Sequence, residues 1–179
     1  MKKLGITALL LAAAAGPALA THSIGIYEDQ AGLDCEIADV GGGNKTFYIV
    51  HTTDAQPALG SAWKLEWDPG MTMTWVGDSS PFFKIGTAQD GAQISYGACG
   101  SGLGKFMIDA VTMSSSGTST PCSYFRLGPE PTRGRIVIFC NLASVPFAAG
   151  EAIVNANGSC PCSVATRQST WGSVKALYR

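Results

Sequence analysis

The feature that most limits what this chain can fold into is a period of two, carried by short segments that breakers keep interrupting. Thr46 to His51 reads Thr-Phe-Tyr-Ile-Val-His. That stretch is aromatic and β-branched, with Phe47 and Ile49 on one face of an extended strand and Tyr48 and Val50 on the other. Ala62 to Trp67 puts Trp63, Leu65 and Trp67 opposite Lys64 and Glu66, the pattern of a half-buried strand. Asp68-Pro69-Gly70 then supplies a turn, because proline presets one torsion and glycine permits a positive one. Met71, Met73 and Trp75 resume the alternation against Thr72 and Thr74. Further strand candidates are Ile24 to Tyr27, Phe82 to Ile85, Ala92 to Tyr96, Lys105 to Val111, Ser123 to Leu127, Gly134 to Cys140 and Glu151 to Asn155. Asp90-Gly91, Gly100-Ser101-Gly102, Gly128-Pro129 and Asn157-Gly158 separate them. No long amphipathic helix alternates with the strands, so a parallel βαβ architecture is disfavoured. Nine or ten short strands divided in this way predict an all-β domain, an antiparallel sandwich or barrel.

The first twenty residues read differently. Met1-Lys2-Lys3 is a short positive head, Leu4 to Leu11 is nearly unbroken apolar sequence, and Ala18-Leu19-Ala20 has the small-x-small pattern of a cleavage site. Residues 1–20 are therefore expected to be a secretory signal peptide, with 21–165 as one β-sandwich domain and 166–179 as a short C-terminal tail. The apolar core of the leader is short for a membrane span, and no second such stretch follows, so no transmembrane segment is expected in the mature chain. Without Lys2 and Lys3, ten basic side chains face thirteen acidic ones, a formal charge of -3. A nucleic-acid partner is excluded, since phosphate binding needs clustered cations.

Export gives the cysteines a meaning. Cys35, Cys99, Cys122, Cys140, Cys160 and Cys162 form an even set in an oxidising setting and read as disulfide partners. Chain order favours Cys122 with Cys140, across one intervening loop, and Cys35 and Cys99 can pair with each other or with the last two. Cys160-Pro161-Cys162 lacks the two-residue spacing and helix start of a redox motif. It reads as two cysteines of one segment stapling two different partners.

Candidate chemistry is sparse. His22 stands at the mature amino terminus, where a flexible position is expected. His51 ends a strand beside Thr52, Thr53 and Asp54, but no nucleophile-elbow sequence accompanies it, so no Ser-His-Asp relay is assigned. Six cysteines in an oxidising compartment are bridges rather than one nucleophile and five spectators. Glu28, Asp29, Asp34, Glu36, Asp39, Asp68 and Asp78 offer loop oxygens, which keeps calcium as a secondary cofactor expectation. They show none of the compact carboxylate alternation of an EF-hand loop. Glu66 and Asp68 as a glycosidase pair have no support beyond being acidic. No catalytic, cofactor-binding or metal-binding residue is assigned.

Aromatic residues are the better lead. Trp63, Trp67 and Trp75 occupy one face of neighbouring strands: exposed, they could stack on a sugar or protein surface; turned inward, they are core. Alternation with Lys64, Glu66, Thr72 and Thr74 favours inward. In the tail, Trp171, Val174 and Leu177 recur at helical spacing, Thr170 can cap, and Lys175 and Arg179 suit the carboxyl end of a helix. So short a helix docks on the sandwich or waits for a partner.

Ile24-Gly25-Ile26-Tyr27, the early Cys35 and the ending Thr170-Trp171-Gly172-Ser173-Val174-Lys175-Ala176-Leu177-Tyr178-Arg179 give the chain a wider likeness. It resembles a group of exported bacterial proteins that open with such a strand and close with such a motif, and its strand pattern is loosely similar to cohesin-type sandwiches. The resemblance implies a single antiparallel β-sandwich, immunoglobulin-like or cohesin-like, with a short helical tail. It transfers no catalytic residue, because the group carries no established activity, and no dockerin-binding motif matches residue by residue. The expected role is an exported non-enzymatic structural or adhesive module in the periplasm, on the cell surface or outside the cell. The alternative is a small module that binds a protein or a cell-surface carbohydrate, with Trp63, Trp67, Trp75 and Trp171 as candidate contacts.

Overall fold

The computed structural model of the chain describes residues 22–53, 56–99 and 104–162. The expected signal peptide at 1–20, Asp54 and the expected helical tail at 166–179, with Trp171, lie outside the described residues. Thirteen strands follow in order: β1 (Ser23–Tyr27), β2 (Glu36–Ile37), β3 (Gly43–Thr53), β4 (Ala58–Trp67), β5 (Met73–Ser79), β6 (Phe83–Thr87), β7 (Gly91–Ser95), β8 (Gly104–Ser115), β9 (Ser123–Gly128), β10 (Ile136–Phe139), β11 (Ser144–Pro146), β12 (Ala148–Ala149) and β13 (Ala152–Val154). There is no helix among the described residues. One sheet runs β12-β1-β3-β8-β5. The other is organised around β4, whose first half pairs with both β7 and β10 and whose second half pairs with β9. β6 adds to β7, β11 to β10, and β13 and β2 continue from β9.

The two sheets close over one apolar core. Ile24, Ile26, Phe47, Ile49, Val111 and Met113 come from the first sheet, and Trp63, Leu65, Phe125, Leu127 and Val137 from the second. Phe47 and Phe125 meet across it with ring centroids 4.6 Å apart, a separation at which an offset aromatic pair adds to area burial. The aromatic strand at Thr46–His51 lies between β1 and β8, as its two-sided apolar pattern implies. Val50 faces away from the core into a smaller cluster with Tyr27 and Cys35.

Two features depart from the expected antiparallel pattern. β1 pairs with β12 in parallel, and β13 pairs with β2 in parallel. Each involves a two-residue strand that carries no period of its own. Bulges have the larger effect, because they decide which charged side chains enter the interior. The β5–β8 register shifts between Trp75 and Gly77, so Val76 is an extra residue on β5. Met73 and Trp75 face the core before the bulge; after it, Asp78 rather than Gly77 turns inward, as a single inserted residue reverses the alternation. On β8 the shift opposite Ile49 and Val50 makes Ile108 extra, and Ile108 and Asp109 are consecutively buried.

Three disulfides form, Cys35–Cys162, Cys99–Cys140 and Cys122–Cys160, with Cα separations of 5.9, 5.5 and 5.8 Å. The expected Cys122–Cys140 bond does not. Cys122 precedes the end of β9 that lies beside Trp67, while Cys140 follows the end of β10 that lies beside Ala58, the two ends of β4. Ten residues of strand separate those ends, roughly 30 Å. Cys99 instead follows β7, which runs to the same end of β4 as Cys140. β13 ends beside the start of antiparallel β9, where Cys160 bonds Cys122, and its parallel neighbour β2 is preceded by Cys35, which Cys162 bonds. The Cys-Pro-Cys segment thus holds two different partners.

Candidate functional site

Trp63, Trp67 and Trp75 do not form a surface strip. Trp63 on β4 is completely buried, and Trp67 and Trp75 are half-buried and packed against the core. The strong polar–apolar alternation of β4 turns that face inward, leaving Lys64 and Glu66 on the solvent side. A flat stacking platform of these three rings for a sugar is therefore ruled out.

His22 is not a flexible terminal residue. It is buried, within 3.1 Å of His51 (Nδ1 to Nε2) and with its ring 4.8 Å from that of Phe139. His51 Nδ1 lies 2.9 Å from the Tyr96 hydroxyl, which donates to Ser61 Oγ at 2.8 Å. A Tyr96 hydroxyl that donates to Ser61 accepts from His51 Nδ1–H, which leaves His51 Nε2 to accept from His22. Both ring nitrogens of His51 are occupied within this chain, so neither is free to serve a serine nucleophile. Burial and the neighbouring His22 push the His51 pKa down to about 3, holding the ring neutral. Burial drives the Tyr96 phenol upward, and Ser61 only partly offsets it. The side chains of this string, His22, His51, Tyr96 and Ser61, are all buried.

The loop acids are similarly engaged. Burial alone would raise the Asp39 pKa, but bonds from the Ser119 amide (2.9 Å), Asn155 Nδ2 (2.6 Å) and Thr72 Oγ1 (3.3 Å) bring it below the ordinary value. Asn155 adopts left-handed backbone (φ 50°), which asparagine tolerates, to reach it. Asp29 accepts the amides of Ala31, Leu33 and Asp34, closing its own loop. Among the described residues no three acidic, histidine or cysteine groups converge as a metal site. Glu66 pairs with Arg126 at 2.8 Å on the surface.

Two arrangements have no signal in the local sequence, both centred on β6. Lys84 points inward from β6, across from its own sheet to the carboxylates of Asp78 on β5 and Asp109 on β8. Lys84 Nζ is 2.9 and 3.0 Å from the two Asp109 oxygens and touches Asp78 Oδ1, while the Ala88 amide donates to Asp78 Oδ2. Burial pushes the Asp109 pKa up to about 6, against the opposing pull of Lys84. Because Lys84 faces in, its neighbours Phe83 and Ile85 face out, and they are 70% and 59% exposed. Gln93, Ser95 and Ile138 line the same shallow surface, with Arg133 at its rim. The exposed Phe-x-Ile pair could have been found from the sequence only by knowing that two buried acids claim Lys84.

No protein-family model matches the sequence, and no curated protein matches it. Solved structures do resemble its fold. A cohesin module of a family 33 glycoside hydrolase from Clostridium perfringens aligns with a TM-score of 0.56 at 9% identity, covering 77% of this chain and 99% of that one. The seventh ScaB type I cohesin of Pseudobacteroides cellulosolvens aligns at 0.51 and 9% identity, over 80% and 96% of the two chains. A type I cohesin–dockerin complex from Clostridium thermocellum gives 0.52 and 9%, over 77% and 96%. The fold is cohesin-like.

Proposed function

We propose that this chain is an exported, non-enzymatic β-sandwich module, structural or adhesive in role, that binds a protein partner through the outer face of β6 and β7. The observation that carries the reading is the exposed Phe83–Ile85 pair. Among the described residues Phe83 is the one exposed aromatic side chain, Ile85 stands beside it in water, and a contiguous apolar patch rimmed by polar groups marks an interaction surface. The occupant is a protein segment presenting an apolar side chain to Phe83 and Ile85 and a carboxylate to Arg133. The cohesin likeness supports this reading, since one such neighbour was solved together with a dockerin. The leader at 1–20 and the three disulfides support export.

The test uses the purified mature protein, a Phe83→Ser/Ile85→Ser double variant, and a partner recovered from the source cell's exported fraction. The double variant keeps the wild-type melting temperature and binds the partner at least tenfold more weakly, on the order of 1.4 kcal/mol. Equal binding by the two proteins rejects this face. Wild-type dimers that dissolve on substitution would make the occupant a second copy and overturn the separate-partner reading.

A further inference from the structure

We propose that Lys84 and Asp78 condense to an intramolecular amide bond, with Asp109 as the proton-transfer group, so that the mature domain carries a covalent link between its two sheets. This link is independent of the binding face and rests on the three-residue cluster beneath β6. The side chains of Lys84, Asp78 and Asp109 are 11%, 5% and 0% exposed, so one cation and two potential anions share a site nearly sealed from water. Lys84 comes from one sheet and both acids from the other, and the Val76 bulge aims Asp78 at the amine.

The geometry is that of an amide-forming step held ready. Lys84 Nζ touches the Asp78 carboxyl at Oδ1, and the backbone amide of Ala88 holds Oδ2. Asp109 receives Lys84 Nζ on both of its oxygens, and the Ala110 amide, 3.1 Å from Oδ1, fixes the carboxyl's orientation. Such fixed proximity replaces a bimolecular encounter by an intramolecular one. In bulk water an ammonium and a carboxylate do not condense, because both are well solvated. Here the solvation is withdrawn, and burying unpaired or partly paired ions is costly enough to favour a neutral product. Burial raises the Asp109 pKa to about 6, which makes that carboxyl a better proton acceptor than an ordinary aspartate.

In the step, the Lys84 nitrogen lone pair attacks Asp78 Cγ, forming the C–N bond. Asp109 relays two protons in turn from the nitrogen, one before the attack and one after it, to the departing Asp78 oxygen, whose C–O bond then breaks as water leaves. The oxygen held by Ala88 remains as the amide carbonyl, and the remaining amide N–H donates to Asp109. The ammonium has lost two protons and the carboxylate one oxygen, together one water. The net charge of the cluster is unchanged, and no oxidant or reductant takes part.

Intact-mass and peptide-mass measurements on the folded mature wild-type protein test this. After disulfide reduction, the expected mass is lower than that of the sequence by one water, about 18 Da. Trypsin then fails to cut after Lys84 and yields a single peptide spanning 65–105 with the same deficit. Lys84→Arg and Asp109→Asn restore full mass, Asp109→Asn with cleavage after Lys84 regained. A wild-type protein at full mass, cut normally at Lys84, overturns the proposal on its own, whether or not either variant folds. A deficit that persists in Lys84→Arg places the link elsewhere and likewise overturns it.

Discussion

Replacing His51 by glutamine removes an acid sensitivity that the wild-type fold carries in its buried histidine string. The wild-type ring is neutral, wholly buried and hydrogen-bonded to His22 and Tyr96, and its pKa is depressed from 6.5 to about 3. The unfolded chain takes up a proton near 6.5 that the folded chain refuses. Stability is therefore full above about pH 6.5 and falls as pH drops toward 3, at about 1.4 kcal/mol per unit. The loss reaches about 2 kcal/mol at pH 5 and about 5 kcal/mol below pH 3. For a domain of this size 2 kcal/mol is a shift of roughly 4–8 °C in melting temperature. Glutamine offers both a donor and an acceptor toward the same neighbours, so His51→Gln keeps part of the network but does not titrate. Thermal unfolding of both proteins at pH 7 and pH 5, with disulfides intact, reads the difference between their shifts. Carboxylates common to both cancel in that difference, while His22, on the other side of the pair, contributes through its contact with His51. His51→Gln is expected to start lower at pH 7 and to lose several degrees less on acidification. Parallel losses in the two proteins would refute a buried neutral His51.

Asp39→Asn removes the charge that holds the amide of Ser119 and the side chain of Asn155, at a cost on the order of 2 kcal/mol in denaturant unfolding at pH 7. Its folded pKa is depressed, so the wild-type advantage is present above the ordinary carboxylate value and shrinks as pH falls through the folded one. A gap between the two proteins that holds constant into acid argues against that role. Among the bridges, Cys35–Cys162 spans 127 residues and Cys122–Cys160 spans 38. Chain entropy makes paired serine replacement of the longer loop costlier by about 1 kcal/mol, read from denaturant midpoints of the two double variants.

How much of this was legible in the sequence depends on the residue. The alternation of Trp63, Leu65 and Trp67 against Lys64 and Glu66 revealed both the strand and its inward face, because a clean polar side leaves one orientation. The Thr46–His51 run announced a central strand, because both of its faces are apolar. Strands β2, β11 and β12 were invisible, since two or three residues cannot show a period. The disulfide partners depend on which strand ends meet in space. His22 looked like a loose end because its partners, His51 and Phe139, are far along the chain. The β6 surface was hidden for a related reason. Phe82-Phe83-Lys84-Ile85 shows a lysine between apolar residues, and solvating the lysine is the cheaper choice for an isolated strand. Two acids on the opposite sheet, one turned inward by a bulge, reverse that choice and put Phe83 and Ile85 outside.

Amide hydrogen exchange of the mature protein, alone and with its recovered partner, tests the binding face most directly. Among the described residues β6 pairs along one edge only, with β7, so its outer amides exchange readily in the free protein and any cover over them registers. Partner binding is predicted to slow exchange across 82–87 and 91–95, with little change in the β12-β1-β3-β8-β5 sheet. Protection confined to that other sheet, with 82–95 exchanging as in the free protein, would contradict it.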